Sequence, residues 1–355
     1  MRRQLADLLG IRHPILLAAM AGGPSTPELA AEVSRAGGLG VLGLSGMARD
    51  AASEATQRAV ALAGGAPVGA NAQLAPRSPA TGDRERIMAV LAPFRAELDL
   101  PLEPALPAAG PTGEELLEAA LQAGATVVTT FEDPTPVIGL ARAAGAPLLA
   151  MVTTPEEALA AISAGANAVI AQGSESGGHR STFVGAEIPT SLREVGTMAL
   201  VPQVIAAVGP DVPVIASGGI MDGHGIAAAL ALGAAGVSLG TRFMAASESG
   251  IPDSYRRALA ACPADGTVVT DAVTGRPCRM ILNRIVSAII EAHAGTLGWG
   301  AQAAQIADIR RAAAVQGRTD LMIMLGGQGA GLSGEPMPAS AIMAQLVDEL
   351  RLAHG

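Results

Sequence analysis

His179 sits in Gly173-Ser174-Glu175-Ser176-Gly177-Gly178-His179-Arg180, a glycine-rich loop that follows the apolar run Ala168-Val169-Ile170-Ala171. In a parallel sheet the chemistry is carried by loops at the C-terminal ends of strands, so this imidazole is a candidate catalytic group. Its ordinary pKa, near about 6.5, suits proton removal or, when charged, the holding of an anion. The other histidines have poorer placements. His13 precedes the first predicted strand and His354 ends the chain, both read as surface residues; His293 closes a helical pattern, where a cation complements the dipole; His224 is read as solvent-exposed. Ser174, Glu175 and Ser176 suggest no triad, and no cluster has metal-ligand spacing, so no metal is expected.

Two further loops carry a different chemistry. Ala216-Ser217-Gly218-Gly219-Ile220 and Ser238-Leu239-Gly240-Thr241-Arg242 end the seventh and eighth predicted strands. In an eight-stranded barrel these loops commonly bind phosphate, because glycine lets backbone N–H groups approach the oxygens and a helix N-terminus adds favourable charge. Thr241 and Arg242 would add a hydroxyl and a guanidinium. Gly38-Leu39-Gly40-Val41-Leu42-Gly43 matches a dinucleotide fingerprint by spacing but follows a helix and runs through a strand, so it is rejected. Gly326-Gly327-Gln328-Gly329-Ala330-Gly331 reads as a close-packing turn more than a nucleotide loop, with approach to a ligand as the alternative.

The elements that position these loops recur along the chain. A helix-end glycine followed by a short apolar strand appears at Ala36-Gly37, Ala123-Gly124, Ala144-Gly145, Ala164-Gly165 and Leu232-Gly233. The strands are apolar on both faces, as in a parallel sheet covered on both sides. Helix starts are marked by Ser25-Thr26-Pro27-Glu28, Thr112-Gly113-Glu114-Glu115 and Thr154-Pro155-Glu156-Glu157. Strands are predicted at 15–20, 39–44, 67–72, 126–130, 147–151, 168–171, 212–217 and 236–239. Alternation with helices predicts an α/β fold, a (β/α)8 TIM barrel over residues 1–246, followed by a mostly helical lid region over 247–355 whose end packs back on the barrel.

Composition removes several function classes. The net charge is -9 and only six residues are aromatic, which argues against nucleic acid. All 23 basic residues are arginine, so lysine Schiff-base chemistry and the Walker A loop are excluded. Cys262 and Cys278 fit neither a disulfide framework nor a zinc site and are expected as free thiols. The early apolar stretch after Arg2-Arg3 is broken by Asp7, Arg12, His13 and Pro14 and reads as a first strand, not an export signal. The uncharged run Gly225 to Thr241 falls short of the roughly 18 apolar residues that a membrane helix needs. A cytoplasmic protein without membrane or nucleic-acid partners is expected.

Four segments together resemble the FMN-dependent nitronate monooxygenases, formerly called 2-nitropropane dioxygenases, over nearly the full length. They are Ala19 to Leu29 with Ala36 to Gly40; Gln172 to Arg180; Pro213 to Ile220 through Gly240 to Phe243; and Thr274-Gly275-Arg276-Pro277 with Gly327 to Leu332. The resemblance implies FMN across the barrel mouth, its phosphate at Ser217, Gly218, Gly219, Ser238, Leu239, Gly240 and Thr241. It also implies flavin contacts at Ala19, Met20, Ala21, Asn71, Gln172, Gly177 and Gly178, with His179 as the catalytic residue. The implied reaction oxidises an alkyl nitronate such as propionate 3-nitronate, with dioxygen, to a carbonyl compound and nitrite. The implied partners are that small molecule and dioxygen, with a homodimer as the candidate assembly. Ala19 replaces a usual proline, Ser176 a usual alanine and Ser181 a usual glycine, and the last two border the reacting centre. The nearest alternative is an FMN-dependent enoyl-acyl-carrier-protein reductase using a nicotinamide cofactor; a flavin-binding protein without this turnover is another.

Overall fold

The computed structural model describes residues 2–74, 80–106, 110–184 and 194–353, so His354 lies outside the described residues. Its strands, in chain order, are β1 (Ile15–Leu17), β2 (Gly40–Gly43), β3 (Val68–Gln73), β4 (Val127–Phe131), β5 (Leu148–Val152), β6 (Ala168–Gln172), β7 (Gly178–His179), β8 (Val214–Ser217), β9 (Gly236–Leu239), β10 (Thr267–Thr270) and β11 (Cys278–Ile281). Among the described residues, eight form one sheet in the order β1-β9-β8-β6-β5-β4-β3-β2, every pair parallel. Leu39 closes it: its carbonyl accepts from the Leu17 amide at 2.8 Å and its amide donates to Ile15 O at 3.0 Å. The result is a nearly closed TIM barrel with helices between its strands.

Local chemistry explains the alternation. The barrel strands are buried along nearly their whole length, because helices cover one face and side chains fill the other. Thr26, Thr112 and Thr154 each accept a backbone N–H from the first turn of the following helix. At Thr112 the full reciprocal box forms, with Glu115 accepting from the Thr112 amide at 2.7 Å. Gly40 is required by packing: a Cβ there would stand 1.8 Å from the Ala30 carbonyl oxygen, so the spurious fingerprint is a helix–strand contact. The predicted first strand stops earlier than expected, at Leu17, and beyond it the Ser25 hydroxyl accepts from the Met20 amide at 2.9 Å.

Beyond Met244 the chain builds a second apolar core from Ile251, Leu259, Ile285, Ile306, Ile309 and Leu321, among others. Helix Arg84–Glu97 joins it through Ile87, Leu91 and Phe94, although it lies between β3 and β4 in sequence. Arg95, fully buried, pairs with Asp308 and donates to Pro101 O at 2.6 Å, fastening that helix to the region. The region is helical as expected but also holds β10 and β11, which pair antiparallel with each other, β11 pairing antiparallel with β7 on its other edge. Helix Ala339–Ala353 leaves it again, burying Ile342, Met343 and Leu346 in the barrel's core. Cys262 and Cys278 are buried free thiols. No helix among the described residues is long and apolar enough to cross a membrane.

Candidate active site at the mouth of the barrel

β7 takes His179 out of the barrel and onto the second region: Cys278 is its register partner, and Arg279 that of Gly178. Gln172, at the end of β6, fixes the loop from beneath. Its Nε2 donates to His179 O at 2.8 Å and its Oε1 accepts from the Ser181 amide at 3.0 Å, so both ends of its amide are used. Arg180, fully buried, donates to Gly173 O at 2.7 Å across the same loop. Glu157 accepts from the Phe183 and Val184 amides at 2.7 and 3.2 Å and holds the chain that leaves.

The imidazole itself meets residues that sequence reasoning gave no role. Its Nε2 lies 3.1 Å from Thr274 Oγ1, and that hydroxyl donates to Arg276 O at 3.0 Å. A hydroxyl has one proton, and a carbonyl can only accept it, so the neutral His179 must donate from Nε2. Nδ1 is then the proton acceptor, with no partner among the described residues. The Trp299 ring stands edge-on at 4.7 Å between centroids. Solvent still touches part of His179, yet protein surrounds most of the ring, and this desolvation, reinforced by the positive charge of Arg310, lowers its pKa to about 4. The side chain is neutral at physiological pH.

Each residue of Thr274-Gly275-Arg276-Pro277 contributes to this arrangement. Thr274 sets the tautomer, and Gly275, at φ +84°, allows Gly298 and Trp299 to lie against the turn, where a Cβ would stand 2.1 Å from Gly298 O. Arg276 forms an ion pair with buried Glu132, donates to Arg180 O at 3.0 Å and Thr182 O at 2.9 Å, and lies over the Phe131 and Trp299 rings at 5.2 and 5.7 Å. Burial lowers its pKa to about 10, so it remains charged. Pro277 O accepts from the Arg180 amide at 2.8 Å. The motif could be seen in the sequence, but its contact with His179 is made across 95 residues.

The expected cofactor residues gather around the same opening. Met20 touches both apolar cores, and a Cβ on Gly240 would stand 3.6 Å from its Sδ, so the ends of β1 and β9 meet there. Ala19 is half-buried beside it, while Ala21 lies against Gly43 at the end of β2. Asn71, buried at the β3 end, donates to Thr129 O and Oγ1 at 3.1 and 2.9 Å, leaving its Oδ1 without a partner among the described residues. Gly177 approaches the C-terminal glycine loop so closely that a Cβ would stand 2.6 Å from Gly326 C. The Gly327 amide in turn donates to Thr241 Oγ1 at 3.0 Å. Thus the Gly326-Gly327 turn is close packing, as its composition suggested.

The paired glycine loops fit the phosphate of a mononucleotide. Gly218 and Gly219 adopt φ +120° and +70°, and their amides, like that of Gly240, have no partner among the described residues. A Cβ on Gly218 would stand 2.7 Å from Ser176 Oγ. Ser217 O is already taken by the Gly173 amide, and Leu239 turns its side chain into the core, so these two residues offer the loop only their remaining backbone and, for Ser217, its hydroxyl. The Ser238 side chain is likewise buried. Arg242 does not face the loop: it is buried, donating to Ser333 O at 2.6 Å and Gln345 Oε1 at 3.0 Å, and anchors the C-terminal segment instead of a phosphate.

The two departures beside His179 are turned toward the fold. Ser176 Oγ donates to Ser217 O at 3.1 Å, and Ser181 Oγ donates to Met151 O at 3.0 Å while accepting from the Glu132 amide at 2.9 Å. Of the remaining histidines within the described residues, His13 is partly buried and its pKa is lowered by burial and by Arg12 and Arg351; His224 and His293 are exposed. No group of acidic, histidine or cysteine side chains among the described residues could hold a metal.

Comparison with known proteins identifies the family. A family model described as nitronate monooxygenase matches residues 2–349. A probable nitronate monooxygenase of Staphylococcus aureus (strain Newman) is 33% identical, the match covering 98% of this chain and 97% of the relative. One from Staphylococcus saprophyticus is 36% identical over 80% of this chain and 79% of its own. The solved nitroalkane oxidase of Streptomyces ansochromogenes superposes with a TM-score of 0.87 at 36% identity, covering 99% of both chains. FabK from Thermotoga maritima superposes with a TM-score of 0.75 at 30% identity, over 99% of this chain and 96% of its own.

Proposed function

Because the chain belongs to the nitronate monooxygenase family, we propose that it uses FMN and dioxygen to convert alkyl nitronates of the propionate 3-nitronate type to a carbonyl compound and nitrite. At the level of class it is a flavin-dependent oxidoreductase. The observation that carries the reading is a neutral His179, oriented by Thr274, at a barrel mouth that also offers a mononucleotide phosphate site. The amides of Gly218, Gly219 and Gly240 with the Thr241 hydroxyl would hold the phosphate; Ala19, Met20, Ala21, Asn71, Gln172, Gly177 and Gly178 would border the ring system. When bound, the flavin supplies electron acceptance and the reaction with dioxygen.

The chain's own part is proton transfer and orientation. His179 Nδ1 removes the α-proton of a neutral nitroalkane, generating the nitronate in place. Thr274 keeps that nitrogen unprotonated by holding the other N–H, and Trp299 walls the ring against rotation. With its pKa near 4, the imidazole has little cationic form at neutral pH with which to hold an anion. Substrate dependence tests the assignment. His179→Ala should lower nitroalkane turnover by about 10² to 10⁴-fold and spare preformed nitronate. Equal turnover of nitroalkane by the variant would remove His179 from the reaction. Wild-type protein whose flavin spectrum ignores propionate 3-nitronate under anaerobic conditions, but which consumes NADH with an enoyl thioester, would overturn the activity itself.

A further inference from the structure

A neutral base leaves the negative charge of a nitronate without a counter-charge from His179, and most cations nearby are committed. Arg276 is paired with Glu132, Arg279 faces Glu194 at 3.6 Å, and Arg180 is buried against Gly173 O. Arg310 differs. It lies in helix Ala307–Val315, is exposed, and has no carboxylate or carbonyl partner for its side chain among the described residues. Its Nη2 reaches back to the loop after β1, where a Cβ on Gly22 would stand 3.7 Å away. That loop lies at the C-terminal end of β1, the end of the barrel strands from which the His179 loop also departs, and the Arg310 charge helps to lower the pKa of His179.

We propose that Arg310 is the anion-binding residue of this site, receiving a planar O–N–O or O–C–O group of the substrate across the opening from His179. The inference rests on the nitronate reading for its substrate but not for its measurement. A guanidinium matches such groups with two parallel N–H···O bonds, and desolvation at the mouth strengthens them. Arg311, the next residue on the helix, is turned about 100° away and serves as the control.

The test compares wild type with Arg310→Gln, Arg310→Lys and Arg311→Gln in flavin-loaded protein. Nitrate, a planar anion that is not turned over, is titrated while the emission of Trp299, the protein's one tryptophan, is followed. Arg310→Gln should weaken nitrate binding by roughly tenfold or more, Arg310→Lys by less, and Arg311→Gln not at all. In turnover, Arg310→Gln should raise KM for propionate 3-nitronate while leaving the neutral nitroalkane's KM within about twofold. An equal rise with ethyl nitronate, which has no carboxylate, assigns the cation to the nitro group; an effect confined to propionate 3-nitronate assigns it to the carboxylate. Unchanged nitrate affinity, an equal loss with the neutral nitroalkane, or loss of flavin from Arg310→Gln would overturn the proposal. Wild type that binds nitrate through Arg310 but turns over no nitronate would sink the activity and leave the anion site standing.

Discussion

In the barrel, Gln172 and Gly218 stand at the ends of β6 and β8, neighbours in the sheet built by the repeating strand–helix pattern, whereas Thr274, Arg276, Trp299 and Arg310 come from segments with no repeating pattern. The barrel supplies the proposed base and the glycine loops proposed to hold a phosphate. The second region supplies what tunes them: the hydroxyl that selects the tautomer, the indole wall, and the burial that keeps the imidazole neutral. A fold reused for many chemistries can hold its scaffold constant and change the site through such an added layer.

That division is open to attack first at its seam. Asp308→Ala leaves Arg95, fully buried, with only carbonyl partners, and breaking a buried pair this way costs about 3 to 5 kcal/mol. The second region should then loosen before the barrel, seen as an early transition in Trp299 emission while far-UV circular dichroism retains the barrel's signal. Coincident transitions would mean that the two cores unfold as one unit.

On the barrel side, Gly218→Ala should act in the opposite sense. Its Cβ would stand 2.7 Å from Ser176 Oγ and 2.8 Å from Thr197 Oγ1 at a φ of +120°. Overpacking of this kind costs about 1 to 3 kcal/mol, so flavin retention should fall by roughly tenfold or more while Trp299 melting stays near that of wild type. Gly139→Ala, which meets open space, is the control. Full flavin occupancy in Gly218→Ala would remove this loop from cofactor binding.

The same contrast decides what could be read from sequence. All eight barrel strands were legible, because a helix-end glycine and a doubly apolar run are local signals. His179 was legible for the same reason, as a residue on glycines after a buried strand. β10 and β11 were not: they are four residues each, and the pairing of β11 with β7 joins positions about a hundred residues apart. Glu132 and Trp299 were missed because their meaning lies in contact with Arg276 and His179, not in their neighbours along the chain. The sole tryptophan and the Thr-Gly-Arg-Pro turn were the available signals. Arg242 was misjudged since position after β9 says nothing of where a long side chain points.

The smallest expected effect tests whether the added layer acts by chemistry or by packing. Thr274→Val removes the acceptor for His179 Nε2–H while keeping the side chain's volume, so the imidazole populates both tautomers and the useful base fraction falls. One hydrogen bond of this kind is worth about 1 kcal/mol, a bias of roughly fivefold between otherwise equal tautomers, so its loss takes the useful fraction from about five-sixths to about one-half and predicts a loss of roughly twofold in kcat for a neutral nitroalkane, with Thr274→Ser near wild type. The pH profile separates the two causes. A base works unprotonated, so wild-type kcat should hold from neutrality down past pH 5 and fall only as pH drops through about 4. In Thr274→Val the plateau should drop with that limb in place, because the burial that lowers the pKa is retained. A limb displaced upward, toward the ordinary histidine value near about 6.5, would mean that water has entered and that Thr274 seals the pocket instead of setting the tautomer.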